Sequence, residues 1–283
     1  MLTGATRAAG VIGSPIRHSL SPTIFNAAFE AAGLDWAYLA FEVPEGAAGL
    51  ALGGMRALGI DGLSVTMPHK AAVLEGLDRV SDDAAALGAV NCITRRSGEL
   101  HGDNTDGPGL LDALRIDEGI DLSGRRCAVV GAGGAGRAAV RALAGAGPDD
   151  VLVVNRSPEP AARAVTIAGD RARVGSGDDL AGADLVVNAT PLGMGVVVTT
   201  DGAAEPLPFD VDALADGSVV VDLVYHPAVT PLVRAARARG LHAVNGLGML
   251  IHQAAHAFRL WTGEAPPLEA MSAAAVAGLA ERL

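Results

Sequence analysis

The stretch RCAVVGAGGAGRAAVRALAGAG, residues 126–147, constrains the fold more than any other part of this chain. An apolar, strand-like run leads into glycines 131, 133 and 136, which fit the pattern GxGxxG, and a helix-like segment follows at once. Glycines at this spacing allow a tight turn and a close approach of another group to the backbone. The stretch therefore predicts a strand, turn and helix of an α/β sheet, with helix-end amides that suit a pyrophosphate.

The next strand-like run gives a second indication of what the turn binds, because GxGxxG alone can also be a plain tight turn. An NAD-binding domain usually carries Asp or Glu about twenty residues beyond the glycines, where the acid binds the ribose 2′-hydroxyl. Here VLVVN is followed by Arg156 and Ser157, with Asn155 at its end. A guanidinium can pair with a 2′-phosphate that an acid would repel, so the sequence predicts NADP. The alternative is a solvated arginine in a loop.

Short apolar runs alternate with helix-like segments along the whole chain, which is the pattern of βα units around a mostly parallel sheet. Helix-like PTIFNAAFEAAG follows Ser21, which can cap it. Later runs are almost continuous in Val and Leu, which predicts strands buried on both faces. The expected strands are residues 10–13, 38–43, 63–67 and 89–94, and then those within VLVVNRS, ADLVVNATP and SVVVDLVY.

We predict an α/β fold of two domains. The first is an N-terminal α/β substrate-binding domain with a mostly parallel sheet, residues 1–105, completed by C-terminal helices in residues 246–283. Residues 247–260 are expected to form the first of these helices. The second domain, residues 106–245, is a Rossmann-type dinucleotide-binding domain that carries the glycine turn.

Charge and composition argue against several classes of partner. The formal net charge of −11 would repel nucleic acid phosphates and anionic lipid, and we expect neither partner. The sequence contains neither a signal peptide pattern nor an apolar run long enough to span a bilayer, which predicts a cytoplasmic protein. Cys92 and Cys127 lie in apolar runs and are expected as reduced core thiols. His252 and His256 lack an HExxH context, so no metal site is expected.

The segment VTMPHK ends in Lys70, the only lysine of the chain beside 20 arginines. Lysine can release a proton where its surroundings allow, whereas arginine stays charged, so the two differ most where chemistry needs proton transfer. Lys70 follows Pro68 at the end of a predicted strand and begins the helix-like run KAAVLEGL. It is a candidate for proton transfer, and the alternative is a solvated surface lysine.

Three further places in the first domain can carry chemistry or structure. In HSLSP, Ser19 and Ser21 stand at the entry to a helix, where hydroxyls and amides can hold a carboxylate, although Ser21 can also be a simple cap. Asn91 interrupts the apolar run AVNCI, and its amide can bind substrate hydroxyls or neighbouring backbone. Asp106 precedes a Gly-Pro-Gly turn and a helix, where a capping carboxylate is the ordinary explanation.

Taken together, these segments resemble the shikimate dehydrogenase family over almost the whole chain and in the same order. The matching motifs are GSPIRHSLSP, VTMPHK, GAVN, GDNTDG, GAGGAGRA, NRS, NATPLGM and GLGMLIHQAAHAF. The resemblance implies a two-domain enzyme that reversibly reduces 3-dehydroshikimate to shikimate with NADPH, in the pathway to chorismate and the aromatic amino acids. It also implies a monomer or a homodimer that binds a cyclic hydroxy carboxylate.

The resemblance assigns roles to individual residues. The family's catalytic pair falls on Lys70 and Asp106. Its substrate-binding positions are Ser19, Ser21, Thr66, Asn91, Tyr225 and Gln253. Its cofactor-binding positions are Gly131, Ala132, Gly133, Gly134, Ala135, Asn155, Arg156, Ser157, Leu223 and Gly246, of which Leu223 and Gly246 match positions near the nicotinamide.

The sequence departs from the family pattern after the Asn-Arg pair, where another basic residue often follows within a few positions. Here SPEP intervenes and Arg163 comes later. Relatives that act on quinate or aminoshikimate share nearly all the motifs, although serine at both positions of SLS favours shikimate. Two other classes stay open from the residues alone: a Schiff-base enzyme that uses Lys70, and a non-catalytic dinucleotide sensor.

Overall fold

The computed structural model describes residues 2–195 and 207–281. The described residues divide into two compact units: one comprises residues 2–109 and 251–281, and the other comprises those between Leu110 and Leu250. The predicted domains at 106–245 and 246–283 include positions 196–206 and 282–283, which lie outside the described residues. The predicted boundaries and the ligand assigned to each domain stay a prediction.

The first unit is built on a six-stranded sheet of mixed direction, in the order β2-β1-β3-β5-β6-β4. Strand β1 pairs in parallel with β2 and β3, and β4 pairs in parallel with β6, whereas β5 is antiparallel to both of its neighbours. Ser97 and Gly98 form the turn between β5 and β6 with positive φ, as a two-residue hairpin requires. The strands are β1 (Arg7–Gly13), β2 (Trp36–Glu42), β3 (Gly62–Val65), β4 (Arg79–Val80), β5 (Cys92–Arg96) and β6 (Glu99–Asp103).

The second unit holds a six-stranded, fully parallel sheet in the order β12-β11-β10-β7-β8-β9. The chain runs outward from β7 to one edge and then returns to β10 on the other side of β7, so the strand order reverses between β7 and β10. Ligands of such sheets bind beyond the carboxyl ends of the strands at this point. The strands are β7 (Arg126–Val130), β8 (Asp150–Val154), β9 (Ala172–Gly175), β10 (Leu185–Asn188), β11 (Val219–Asp222) and β12 (His242–Val244).

Helices connect most of these strands. The helices are α1 (Ser21–Ala31), α2 (Ala48–Leu58), α3 (Asp82–Leu87), α4 (Asp106–Asp112), α5 (Gly134–Gly145), α6 (Pro158–Ala168), α7 (Pro231–Ala238), α8 (Leu247–Thr262) and α9 (Leu268–Ala280). A π-helical turn, Ala113–Asp117, continues α4. Among residues 2–195 and 207–281, we find no helix with the length and apolar character needed to cross a membrane.

Buried side chains cover both faces of the parallel sheet, as the runs of Val and Leu predict. Cys127 and Val129 belong to the core cluster on one face, while their neighbours Ala128 and Val130 belong to the cluster on the other. Cys92 and Cys127 are both buried free thiols that form no disulfide, and burial raises the pKa of Cys127 to about 12. Such a thiol is not a reactive thiolate at neutral pH.

The start of α1 differs from the expectation for Ser21. Ser21 is the first helical residue, Leu20 occupies the capping position, and no side chain caps the helix. The Ser21 backbone N–H instead donates to Ser19 Oγ at 3.2 Å. The prediction that Ser21 caps α1 is therefore wrong, because Ser21 is already helical and a capping residue stands just before the first helical residue.

Candidate active site

Lys70 and Asp106 form an ion pair in the first unit. The distance from Lys70 Nζ to Asp106 Oδ2 is 2.5 Å, and the two side chains are 22% and 8% exposed. The second oxygen of the same carboxylate, Oδ1, accepts a hydrogen bond from Asn91 Nδ2 at 2.7 Å. One carboxylate thus fixes an ammonium with one oxygen and is itself fixed through the other.

The turn after β3 places Lys70, and its structure differs from the expected helix. The Lys70 carbonyl accepts the backbone N–H of Val90 at 2.8 Å, while the Leu74 N–H donates to Ala71. An α-helix starting at Lys70 would need the Leu74 N–H to donate to the Lys70 carbonyl. The expected helix is therefore wrong, and only a short 3₁₀ helix forms, Ala72–Gly76.

His69, to which the sequence reasoning gave no role, anchors this turn. Its side chain is 1% exposed, and its Nε2 lies 2.7 Å from the carbonyl oxygen of Val43. Since a carbonyl only accepts hydrogen bonds, Nε2 carries the proton and donates it. A histidine between Pro68 and Lys70 is the sequence signal that could have pointed to this anchor.

Asn91, Thr105 and Gln253 form a polar group around Asp106. Asn91 precedes β5 instead of lying within it, and its Oδ1 accepts the Thr105 backbone N–H at 2.7 Å. Its Nδ2 lies 3.0 Å from Thr105 Oγ1 and 3.5 Å from Gln253 Oε1. Thr105 was not among the predicted site residues, although it lies within the motif GDNTDG. The amide of Asn91 is thus held by protein partners on both of its ends.

The backbone of α4 lies directly against α8 at this group. A Cβ added to Gly109 would lie 2.6 Å from the Gln253 backbone nitrogen and 2.8 Å from its Cα. Real Cβ atoms do not approach backbone this closely, so glycine is required for Gln253 to hold its place. The segment Asn104–Asp106 is also fixed, because Asn104 Oδ1 accepts the Asp106 N–H at 3.1 Å.

Ser19, Ser21 and Thr66 lie in the same unit, at the start of α1 and in the turn after β3. Ser19 and Ser21 border the start of α1, and Ser21 is a neighbour of the Tyr38 side chain. The Tyr38 hydroxyl donates to Ser64 Oγ at 2.7 Å, and burial raises the Tyr38 pKa. Tyr38 is therefore a neutral hydrogen-bond donor near neutral pH. Thr66 packs its methyl group against Gly13.

The glycine turn of the second unit fits a bound pyrophosphate. It joins β7 to α5 as predicted, and Gly131 has a φ of +103° that favours glycine. A Cβ at Gly136 would overlap the Gly131 carbonyl, while one at Gly133 or Gly134 would meet nothing within 4 Å. No side chain caps α5. The first-turn amides therefore face open space, where phosphate oxygens can accept their hydrogen bonds.

Asn155 ties the end of β8 to this turn. Its Oδ1 accepts the backbone N–H of Ala132 at 3.0 Å, and its Nδ2 donates to the Ser157 carbonyl at 2.8 Å. Arg156 between them is exposed and forms no ion pair with a residue that the structure describes. Its guanidinium is available for an anion, whereas Arg163 is paired with Glu159 at 2.7 Å.

Leu223, Tyr225 and Gly246 lie in the second unit, after strands β11 and β12. The Gly246 N–H donates to the Val224 carbonyl at 3.2 Å, and a Cβ at Gly246 would overlap the Leu223 carbonyl. The structure thus brings Leu223 and Gly246 together through backbone contact. No group of three or more His, Cys, Asp or Glu that could hold a metal occurs within the described ranges.

Three models of known protein families match the chain. Residues 11–93 match the shikimate dehydrogenase substrate binding domain. Residues 119–192 match a putative NAD(P)-binding family, and residues 246–276 match the shikimate 5'-dehydrogenase C-terminal domain. The first match lies in the first unit, the second lies in the second unit, and the third covers the segment in which the chain returns to the first unit.

Full-length relatives give the same result. A protein from Geobacter sp. (strain M21), named shikimate dehydrogenase (NADP(+)), is 46% identical over 99% of this chain and 98% of its own. A protein of the same name from Thermococcus kodakarensis is 44% identical over 99% of this chain and 100% of its own. The solved shikimate 5-dehydrogenase from Thermus thermophilus, in complex with NADP(H) and shikimate, superposes with a TM-score of 0.88, at 39% identity over 96% of this chain and 100% of that one.

Proposed function

Because the chain belongs to the shikimate dehydrogenase family, we propose that Lys70 and Asp106 are the catalytic pair of its reaction. The protein is an NADP-dependent oxidoreductase that acts on a CH–OH group and interconverts 3-dehydroshikimate and shikimate, a step of aromatic amino-acid biosynthesis. The observation that carries the proposed roles is the Lys70 ammonium on a carboxylate that Asn91 also binds.

Reduction of a ring ketone develops negative charge on the ketone oxygen, and this charge needs both stabilisation and a proton. The Lys70 ammonium can supply both, and in the oxidising direction the neutral amine accepts the hydroxyl proton. NADPH supplies the hydride when it is bound. An arginine at position 70 could stabilise the charge but would be a very poor proton donor.

Asp106 holds the lysine in the geometry that proton transfer requires. Its Oδ2 accepts from Nζ, and Asn91 prevents the carboxylate from rotating by holding Oδ1 at 2.7 Å. A proton moves along a short, aligned hydrogen bond, which a fixed ammonium can form with the substrate. Asp106 accepts one of the three N–H groups of Lys70 and leaves the other two for the substrate.

The remaining residues are proposed to bind the ring and its carboxylate. Ser19 and Ser21 offer hydroxyls at the start of α1, where amide and hydroxyl donors suit a carboxylate. The ring hydroxyls are assigned to the other polar side chains of the family pattern, which are Thr66, Asn91, Tyr225 and Gln253. The near contact of Asn91 and Gln253, at 3.5 Å, supports a shared role for these two.

The cofactor is proposed to be held by two groups of the second unit. The turn Gly131–Ala135 takes the pyrophosphate on its amides, and Arg156, with Asn155 and Ser157, takes the 2′-phosphate. Leu223 and Gly246, which meet through their backbones, are assigned to the nicotinamide end. A cytoplasmic location and a monomeric or homodimeric state stay predictions.

Initial rates of the purified protein with shikimate, quinate and aminoshikimate, each with NADP and with NAD, test this function. We expect the highest kcat/KM for shikimate with NADP. A higher kcat/KM for quinate or aminoshikimate would reassign the substrate. Tight NADP binding without turnover of any of the three would show a sensor instead of an enzyme.

A further inference from the structure

Three polar side chains are completely buried at the carboxyl end of the parallel sheet. Asn188, Asp222 and Thr230 are each 0% exposed. Asn188 ends β10, Asp222 ends β11, and the two residues are direct partners in the sheet register. Thr230 caps helix α7 by accepting the Val233 N–H at 3.1 Å. None of the three has a role in the chemistry described above.

Asp222 joins these residues into one hydrogen-bonded network. Its Oδ1 accepts from Asn188 Nδ2 at 2.8 Å and from the Val224 backbone N–H at 3.1 Å. Its Oδ2 accepts from Thr230 Oγ1 at 2.6 Å. The carboxyl group therefore fixes the first residues of the turn after β11 and the residue that begins α7.

Asn188 extends this hydrogen-bonded network to the turn after β10. Its Oδ1 accepts both the backbone N–H of Thr190, at 3.0 Å, and the Thr190 hydroxyl, at 2.7 Å. This turn lies against the glycine turn, since a Cβ at Gly131 would come within 3.0 Å of Thr190 Cγ2. A single buried network thus connects the turn after β10 with the turn that carries Leu223 and Tyr225.

A buried carboxyl group is costly, which argues for a specific role. Burial raises the pKa of Asp222, and the hydrogen bonds from Thr230, Val224 and Asn188 only partly offset it. Replacing such polar groups with apolar ones of similar size is often neutral or stabilising for a fold. The network is directional, however, and can hold two turns in one geometry, which apolar packing does less well.

We infer that Asp222, acting through Asn188 and Thr230, is a positioning residue that holds the turn after β11, at the nicotinamide end of the cofactor site, in place relative to the turn after β10. This inference rests on the proposed assignment of Leu223 and Gly246 to that end. Asp222 orders the turn that presents Leu223, and the Leu223 carbonyl in turn lies against Gly246. The adenosine end depends on Asn155 and Arg156, which follow β8 and have no part in the network.

The test compares binding of whole NADP with binding of adenosine 2′,5′-bisphosphate, which lacks the nicotinamide. Titration calorimetry gives both Kd values for the wild-type protein and for Asp222→Ala, Thr230→Val and Thr230→Ser. We expect Thr230→Val and Asp222→Ala to weaken NADP binding about tenfold, from the loss of a charge-assisted hydrogen bond, with adenosine 2′,5′-bisphosphate within about twofold of wild type. Thr230→Ser keeps the hydroxyl, so its Kd for NADP should stay close to that of the wild-type protein.

Ser218→Ala is the matched control. Ser218 is 2% exposed, and its hydroxyl donates to the Ala183 carbonyl at 2.8 Å at the opposite end of β11. This variant should lower Tm as Thr230→Val does, yet leave both Kd values unchanged. Equal losses of the two ligands in Thr230→Val, or no loss of either, would overturn the inference. If Asp222→Ala does not fold, Thr230→Val against Thr230→Ser decides. Turnover of the wild-type protein is measured separately, so a failure of the proposed function is distinguishable.

Discussion

At the scale of single residues, the carboxylate of Asp106 sets the geometry of the ammonium that we propose as the proton donor. Each of its oxygens has its own partner, Lys70 Nζ at 2.5 Å and Asn91 Nδ2 at 2.7 Å. Both partners can only donate, so a carboxylate matches them and an amide would match one of them. Holding Lys70 and Asn91 at the same time therefore needs both acceptor oxygens, and the negative charge strengthens the bond to the ammonium.

Asp106→Asn should slow turnover without affecting the cofactor. An amide at this position presents one donor group to either Lys70 or Asn91, and the charged hydrogen bond lost is worth about 1.5–3 kcal/mol, or about tenfold to a hundredfold in rate. Steady-state kcat and the Kd of NADP are the two measurements. A Kd of NADP that rises in parallel with the loss of kcat would show a general disturbance of the fold.

Arg156→Ala should weaken NADP binding much more than NAD binding, because only NADP has a 2′-phosphate. A charged hydrogen bond of this kind contributes about 1.5–3 kcal/mol. Arg163→Ala is the matched control, since Arg163 lies on the following helix and is already paired with Glu159. Equal losses for both cofactors, or a larger effect of Arg163→Ala, would contradict the assignment of the 2′-phosphate to Arg156.

At the scale of elements, the sequence predicts the segments whose signals are local. The glycine turn, the helix after it and the buried strands were expected, and the structure has them as β7, α5, β8, β10 and β11. Helix α8 was expected at residues 247–260 and is observed at Leu247–Thr262. Periodicity and turn residues are properties of neighbouring positions, so they are readable without the rest of the chain.

The misread elements depend on distant partners. The run after Lys70 has helical composition, but the Val90 N–H takes the Lys70 carbonyl and leaves only a 3₁₀ turn. In the site, the types of Lys70, Asn91 and Asp106 were readable from the sequence. Their pairing was not, because Asn91 meets Asp106 15 positions away and Gln253 162 positions away. His69 and Thr105 were missed for the same reason.

The contact between α4 and α8 gives a prediction at this scale. Gly109→Ala should raise the KM of shikimate about tenfold, because the new methyl group must displace Gln253, and overpacking costs about 1–3 kcal/mol. The KM of NADP should stay unchanged. Gly54→Ala in α2, where a Cβ would meet nothing within 4 Å, is the control and should leave both KM values as they are. An unchanged KM of shikimate in Gly109→Ala would contradict the proposed role of Gln253.

At the scale of the whole molecule, the buried carboxyl of Asp222 makes stability depend on pH. Below the ordinary pKa of 3.8, this group is protonated in both the folded and the unfolded chain. As the pH rises, the unfolded chain ionises first, since burial raises the pKa in the folded state. Stability is therefore lost as the pH rises from 3.8 through the folded pKa, and no further loss follows above it.

The comparison of wild type with Asp222→Asn isolates this effect, because all other groups titrate alike in both. The Tm of wild type minus that of Asp222→Asn should fall as the pH rises above 3.8. Asp179 gives the opposite control: hydrogen bonds from Ser176 lower its pKa, so the Tm difference for Asp179→Asn should shrink as the pH falls below 3.8. A Tm difference for Asp222→Asn that is constant or rises with pH would contradict a pKa of Asp222 that burial raises above 3.8.

The most direct test of the account is kcat of Lys70→Arg, with its fold confirmed by Tm and its NADP affinity by Kd. If Lys70 donates and accepts the proton, arginine should keep much of the substrate affinity, yet kcat should fall about a hundredfold to ten-thousandfold, because guanidinium is a very poor acid near neutral pH. Turnover close to that of the wild-type protein would contradict this, and would mean that Lys70 acts only as a positive charge.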